Sequence, residues 1–158
     1  MTDSQLRDDL YACLAVERWV DDVAAHAPFA ATADLLRVAA DAATPLSPAE
    51  IDEALAHHPR IGEKPSGVGA AQSFSRSEQS SADADDEQLA RAIAEGNARY
   101  EERFGRVFLI RAAGRSRAEI LAELTRRLTL DDATELAIVG EQLRDIALLR
   151  LEKLHPAA

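Results

Sequence analysis

One histidine stands directly before a proline, at the end of a segment with helical periodicity. His58 precedes Pro59 in the run from 56 to 62. A residue before proline is driven out of the α region, so the helix must end near His58 and its side chain leaves in a restricted direction. A helix C-terminus favours the imidazolium form, which suits a proton donor near neutral pH. The alternative is that His57 and His58 cap the last carbonyls of the helix.

A second polar group occupies residues 75–80. Ser75 and Glu78 have the spacing of a capping box, which by itself predicts only a helix start. A functional interpretation places Ser75, Glu78 and Gln79 at a helix N-terminus, where amide N–H groups and the helix dipole attract an anionic ligand. The Gln side chain both donates and accepts, which fits the edge of a urea or a cyclic imide.

A third group begins at Asn97, which lies one step from an apolar stripe in the helical segment 83–104. This position predicts a buried polar tie. Gly105 is expected to end the helix. Residues 108–112 are then expected to pass beneath the site formed by these polar groups. Arg111 and Arg115 are candidate partners for a carboxylate, although arginines in such positions are usually solvated.

The elements that must position these groups are helical almost throughout. Ser47 and Ser116 each open a capping box, and Asp131 and Asp132 open a longer helical segment. Further helical segments are predicted near 4–16, 17–26 and 32–43. Residues 107–110 are the one short apolar run that could extend, and an isolated strand has nothing to pair with. The sequence predicts an all-α fold, with residues 1–158 forming one domain of about seven or eight helices.

The composition excludes several classes of function. The chain has 158 residues, 18 Lys and Arg, 28 Asp and Glu and a net charge of −10. This balance argues against a nucleic-acid surface and against binding to an anionic membrane. Cys13 is the one cysteine, so an internal disulfide is excluded and a role in the core is expected.

Targeting signals are also missing from the pattern. The first residues lack the basic and apolar regions of a secretory signal, and no apolar run approaches the roughly 20 residues that span a bilayer. We therefore expect a cytoplasmic protein.

The order and spacing of the three polar groups resemble the 2-oxo-4-hydroxy-4-carboxy-5-ureidoimidazoline (OHCU) decarboxylase family. The sequence departs from the family pattern at 80–83 and otherwise fits it along nearly its whole length. The matching pieces are residues 58–62, 75–79, 97–105, 108, 113–116, 119–121 and 126–128.

The resemblance implies an all-helical homodimer that uses no metal and no organic cofactor. It also implies a small, anionic ureidoimidazoline substrate, which loses carbon dioxide and becomes (S)-allantoin in urate degradation. The departing carboxylate lies beside a carbon–nitrogen double bond that accepts the electrons left behind. Orientation and proton transfer are therefore the main tasks of such an enzyme.

Carried over to this chain, the resemblance implies that His58 is the catalytic histidine and Glu78 its acidic partner. We expect both side chains to reach one cavity, with His58 assisting the loss of carbon dioxide and Glu78 exchanging a proton with a ring or ureido nitrogen. The residues expected to hold the substrate are Pro59, Ser75, Arg76, Ser77, Gln79, Phe108, Leu109, Ile110, Arg111 and Ala112.

The net charge adds a requirement, because an anionic substrate needs local positive potential near an acidic protein. The candidates for it are Arg60, Lys64, Arg111 and Arg115.

Two other interpretations remain open. A non-catalytic acidic helical interaction module explains the composition but not the pairing of the first two polar groups. A metal hydrolase using His57, His58, Glu78 and Asp residues lacks H-E-x-x-H or comparable ligand spacing.

Overall fold

Regular secondary structure in the described part of the chain is helical. A computed structural model describes residues 2–58, 61, 74, 77–83 and 85–157. The described residues contain no β-strand and form seven α-helices with defined bounds, which confirms the all-α prediction. The helices are α1 (Asp3–Cys13), α2 (Glu17–Ala24), α3 (Thr32–Ala42), α4 (Pro48–Leu55), α5 (Glu87–Phe104), α6 (Arg117–Arg127) and α7 (Asp132–Leu154).

Local capping chemistry sets several of these bounds. The Ser47 hydroxyl accepts from the amide of Glu50, whose carboxylate accepts from the amide of Ser47. Ser116 and Glu119 repeat the arrangement at α6. Gly105 ends α5 with φ +73°, a left-handed conformation that glycine adopts without strain. All three predicted boundaries are confirmed.

Helix α5 begins at Glu87, four residues later than the approximate start predicted near Asp83. Asp86 is the N-cap, and its carboxylate accepts from the amide of Leu89 at 3.0 Å. The Asp83 carboxylate instead binds amides at the N-terminus of α6. The run of acidic residues at 83–87 offers several caps, and local sequence does not choose among them.

Contacts divide the chain into two compact units. Unit 1 comprises residues 1–57 and 140–158, and unit 2 comprises 58–139. The organisation of residues 1–158 as one domain stays a prediction. Within the described part of the chain, no helix has the length and apolar character needed to cross a membrane.

Unit 1 has a core of apolar helix faces. Trp19 is fully buried, and its indole Nε1 donates to the carbonyl of Ala39 at 2.9 Å, which fixes α2 against α3. Leu10 and Cys13 of α1 are also buried, so the expected place of Cys13 in the core is confirmed.

The core of unit 2 forms where α5 packs against α6. Gly96 of α5 provides the space for Leu124 of α6, since a Cβ at Gly96 would lie 2.5 Å from Leu124 Cδ2. The core cluster also includes non-helical residues that precede α5 and that connect α5 to α6. Its buried members are Ile61, Ile93, Tyr100, Phe104, Phe108, Ile110, Ala112, Ile120 and Leu124.

Candidate active site

His58 lies just beyond the end of α4. The last turn of this helix is closed by backbone, because the amides of Ala56 and His57 donate to the carbonyls of Asp52 and Ala54. The ring of the exposed His57 instead faces Tyr11, with 3.5 Å between His57 Nε2 and the Tyr11 hydroxyl. His58 is non-helical and half-buried. The predicted helix exit before His58 is therefore confirmed, while Pro59, Arg60 and Lys64 lie outside the described residues.

A buried amide holds the chain that follows His58. Asn97 of α5 is 6% exposed, and its Nδ2 donates to the carbonyl of Ile61 at 2.9 Å. Ile61 is itself buried in the core of unit 2. The prediction that Asn97 is a buried polar tie is confirmed, and the tie fixes the backbone three residues beyond His58.

Glu78 lies at the end of a helical turn rather than at its start. Phe74, Ser77 and Glu78 are helical, Gln79 is in a turn, and the amide of Ser80 donates to the carbonyl of Ser77 at 3.2 Å. The predicted helix N-terminus at Glu78 and Gln79 is therefore wrong. Phe74 is already helical, and the chain turns directly after Glu78. Ser75 and Arg76 lie outside the described residues.

The segment that carries Glu78 is attached to the N-terminus of α6. The Asp83 carboxylate accepts from the amides of Arg117 at 2.7 Å and Ala118 at 3.1 Å, and from the Ser81 hydroxyl at 2.9 Å. The hydrogen bond from the Arg117 amide is the main cause that lowers the pKa of Asp83. In return, Arg117 Nη2 donates to the carbonyl of Gln79 at 2.9 Å. Three hydrogen bonds with α6 thus hold both ends of the 79–83 turn.

Arg117 is a positive charge beside Gln79 that sequence analysis missed. Its Nε and Nη1 atoms are buried, and the described residues provide no acceptor for them. The only available signal was its position at the first turn of α6, which by itself suggests a solvated side chain. Of the predicted cationic candidates in the described residues, Arg115 donates from Nε to the carbonyl of Arg111 at 2.9 Å.

The predicted substrate segment 108–112 is buried although it is not helical. Phe108, Leu109, Ile110 and Ala112 are between 2% and 5% exposed, and Arg111 is half-buried. The carbonyl of Leu109 accepts from Arg127 Nη1 at 2.6 Å, and that of Ala112 accepts from the Arg115 amide at 3.1 Å.

The backbone amides of Leu109 and Ile110 lie within this buried segment. Within the part of the chain that the structure describes, no acceptor is found for the N–H groups of Leu109 and Ile110. Buried backbone amides normally have a partner in protein, water or ligand. This strip of backbone is therefore suited to binding carbonyl or carboxylate oxygens.

These contacts attach each predicted segment to the same two helices of unit 2. Ile61 and the 108–112 segment share one apolar cluster, and the 79–83 turn is bound to the start of α6. The meeting of His58 and Glu78 in one cavity stays a prediction. No group of three His, Cys, Asp or Glu side chains among the described residues has an arrangement that could hold a metal ion.

A separate cavity of about 960 Å³ lies within unit 1, and none of the predicted site residues lines it. Its walls include Leu6, Phe29 and Leu35.

Comparison with known proteins gives related sequences and folds. A plant protein from Arabidopsis thaliana, named uric acid degradation bifunctional protein TTL, is 39% identical over 106 residues, which is 65% of this chain. The match covers only 32% of that protein, so this chain spans about a third of its length.

Two solved structures share the fold. A structure of OHCU decarboxylase in the presence of (S)-allantoin matches with a TM-score of 0.74 and 27% identity, covering 94% of this chain and 97% of the other. A structure of (S)-allantoin synthase matches with a TM-score of 0.67 and 14% identity, covering 97% of this chain and 50% of the other, and at that identity it supports the fold alone.

The family model for OHCU decarboxylase matches residues 1–152. This range includes all three polar groups on which the resemblance was based, so the prediction of the family is confirmed. The chain belongs to the OHCU decarboxylase family.

Proposed function

We propose that this protein is a carboxy-lyase that converts OHCU into (S)-allantoin and carbon dioxide in urate degradation. The observation that carries the proposal is the family match across residues 1–152, which contains every segment assigned to the site. The relative named for uric acid degradation and the similar structure with (S)-allantoin support the same class of substrate.

The reaction breaks the bond between the substrate carboxylate and its ring carbon. The electron pair of that bond moves into the neighbouring carbon–nitrogen double bond as carbon dioxide leaves. The bond electrons form a double bond between the two ring carbons, and the nitrogen of the former carbon–nitrogen double bond takes up a proton. The hydroxyl on the decarboxylated carbon then loses its proton and becomes a carbonyl, while a proton adds to one face of the neighbouring carbon that bears the ureido group. This last proton sets the handedness of allantoin. The protein's tasks are to orient the carboxylate, supply the proton and protect one face.

His58 and Glu78 are the groups we propose for these proton transfers. The half-buried position of His58 and the Asn97 tie at Ile61 support a side chain held in a restricted orientation. The ties from Asp83 and Arg117 do the same for the turn that follows Glu78. Fixed donors and acceptors lower the entropy that must be lost at the transition state.

Substrate binding is assigned to the 108–112 segment together with Ser77 and Gln79. The buried amides of Leu109 and Ile110 suit the carbonyl oxygens of the ring and ureido groups. Arg117 supplies positive charge beside Gln79, which supports binding of an anion by a protein of net charge −10.

The proposal is tested by generating the substrate from urate with the upstream enzymes and following circular dichroism. Fast appearance of one allantoin enantiomer, unchanged by a chelator, is the expected result for the wild-type chain. No acceleration over the spontaneous reaction would overturn the proposal and favour an acidic interaction module.

The two acid–base residues are tested separately. His58→Asn should lower turnover by at least about 100-fold, the size expected for loss of a general acid or base. Glu78→Gln should slow the reaction and reduce the handedness of the product. His57→Asn is the matched control, since it removes a neighbouring exposed imidazole and should leave the rate unchanged. Full rate and full handedness in Glu78→Gln would exclude Glu78 from the chemistry.

A homodimer is also proposed from the family resemblance. Light scattering of the purified chain should give twice the monomer mass of 17.1 kDa, and a monomer at micromolar concentration would contradict it.

A further inference from the structure

A fully buried ion pair lies beside the predicted substrate segment. Arg127, at the end of α6, and Glu135, in the first turns of α7, are both 0% exposed. Arg127 Nε lies 2.8 Å from Glu135 Oε1 and 3.1 Å from Oε2, and Arg127 Nη2 also donates to Oε1. Both carboxylate oxygens are thus bound by one guanidinium.

The same guanidinium contacts two residues of the 108–112 segment. Its Nη1 donates to the carbonyl of Leu109 at 2.6 Å. Its central carbon lies 4.7 Å from the centre of the Phe108 ring, as in a cation–π contact. Arg127 therefore links Glu135 to the backbone that is proposed to hold the substrate.

Tyr100 of α5 fixes the other side of this arrangement. Its hydroxyl donates to Glu135 Oε1 at 2.5 Å, and its ring packs edge-on against Phe108 with 5.2 Å between the centres. Burial is the main cause that raises the pKa of Tyr100, and the bond to Glu135 adds to it. The hydroxyl therefore stays protonated as a donor at neutral pH.

A buried ion pair is a poor device for stability alone. Removing two charges from water costs several kcal/mol per ion, and apolar residues of similar volume often serve a core equally well. What apolar residues do not supply is a planar set of donors that binds a carboxylate and a backbone carbonyl at once. What distinguishes this pair is therefore its set of oriented hydrogen bonds, one of which binds the Leu109 carbonyl.

We propose that Arg127, held by Glu135 and Tyr100, is a positioning residue that orients the Phe108–Leu109 backbone for substrate binding. The inference rests on the function proposed above, because it assigns a purpose to the 108–112 segment. Arg127 acts through the backbone and not on the reacting atoms.

The test replaces both charges at once, in Arg127→Met/Glu135→Leu. Such a double replacement avoids leaving an uncompensated buried charge and is often neutral for stability. We expect a folded protein whose kcat/KM for OHCU falls at least tenfold, with the larger share in KM, because binding contacts are displaced. Arg126→Met/Glu123→Leu is the matched control: it removes a pair on the same helix whose arginine is exposed and whose glutamate is half-buried, and it should keep kcat/KM within twofold.

A second variant covers the case in which the double replacement does not fold. Arg127→Lys keeps a cation opposite Glu135 but loses the planar fork that serves Leu109 at the same time. We expect it to fold and to raise KM at least fivefold. Folded variants with KM and kcat/KM within twofold of wild type would show a structural role only and overturn the proposal.

Hydrogen exchange gives a readout that needs no substrate. Exchange in a peptide spanning 106–116 should become at least tenfold faster in either variant, while peptides from unit 1 stay unchanged. Unchanged exchange at 106–116 would also overturn the positioning role. Absence of decarboxylation by the wild-type chain would instead refute the proposed function, so the two failures are distinguishable.

Discussion

Two exposed ion-pair networks of unit 1 differ in environment from one buried ion pair of unit 2. In unit 1, Arg7 bridges Asp3 and Asp21, and Arg18 bridges Asp22 and Glu50, with both arginine side chains more than 40% exposed. In unit 2, the Arg127–Glu135 pair has no exposed surface. The unit 1 pairs connect helix surfaces in water. In the unit 2 pair, Arg127 also binds the buried, non-helical carbonyl of Leu109.

The difference shows what polar side chains do in each setting. Regular helices satisfy their own backbone, so the exposed charges on unit 1 helices add small, salt-sensitive contributions. The irregular backbone at 105–116 of unit 2 cannot do so, and polar side chains from Arg115 and Arg127 supply the missing donors. Buried polarity in unit 2 accordingly follows the segments assigned to the site.

The largest expected effect comes from breaking one ion pair in each unit. Arg127→Met leaves the Glu135 carboxylate buried without its cation and should lower the free energy of unfolding by about 3–5 kcal/mol. Arg18→Met removes an exposed guanidinium and should lower it by about 1 kcal/mol or less. Urea denaturation of both variants measures the two changes. Equal losses would show that burial does not distinguish the two pairs.

A smaller effect is expected from adding one methyl group to a helical glycine in each unit. Gly96→Ala places a Cβ 2.5 Å from Cδ2 of the fully buried Leu124, so either the Leu124 side chain or the two helices must shift, and we expect a loss of about 1–3 kcal/mol. Gly140→Ala in unit 1 meets Ile51 Cδ1 at an ordinary 3.5 Å. Its better helix propensity should therefore stabilise the protein by about 0.5–1 kcal/mol.

Thermal or urea unfolding distinguishes the expected loss of stability in Gly96→Ala from the expected gain in Gly140→Ala. A stable Gly96→Ala protein would mean that the α5–α6 contact adapts easily, and the contrast in packing between the units would be lost.

Sequence reasoning succeeded where the determining interactions are local. Capping boxes act within four residues, so Ser47 and Ser116 predicted the starts of α4 and α6. The stripe that contains Tyr100 placed Asn97 near the core, and its burial followed. The family resemblance came from residue order and spacing, which need no three-dimensional information.

The contacts that hold the site were missed because they join distant positions. Asp83 was assigned to its own helix, yet it caps α6 more than thirty residues away. Arg127 follows Ile120 and Leu124 on the inner face of α6, and this spacing was the available signal. Charged residues at such positions usually extend to solvent, so the pairing with Glu135 required the structure.

The smallest expected effect is a pH-dependent one at Glu50 in unit 1. Its hydrogen bond with Arg18, 2.6 Å from Arg18 Nε, is the main cause that lowers the pKa of Glu50 from 4.5 to about 2. Because the folded pKa lies below the unfolded one, the pairing stabilises the protein fully above pH 4.5. That contribution is lost as the pH falls from 4.5 toward 2.

Glu50→Gln removes the charge while a Gln at this position can still close the capping box with Ser47. Since Arg18 is 41% exposed, we expect the wild-type chain to be more stable than this variant by only about 1 kcal/mol at pH 7. The difference in urea denaturation should shrink below pH 4.5 and vanish near pH 2. The same measurement with Arg18→Met and the double variant isolates the coupling between the two side chains. A difference that stays constant from pH 7 to pH 2 would mean that Glu50 contributes through its helix cap alone. The Arg18–Glu50 pair would then have no electrostatic role to compare with the buried pair of unit 2.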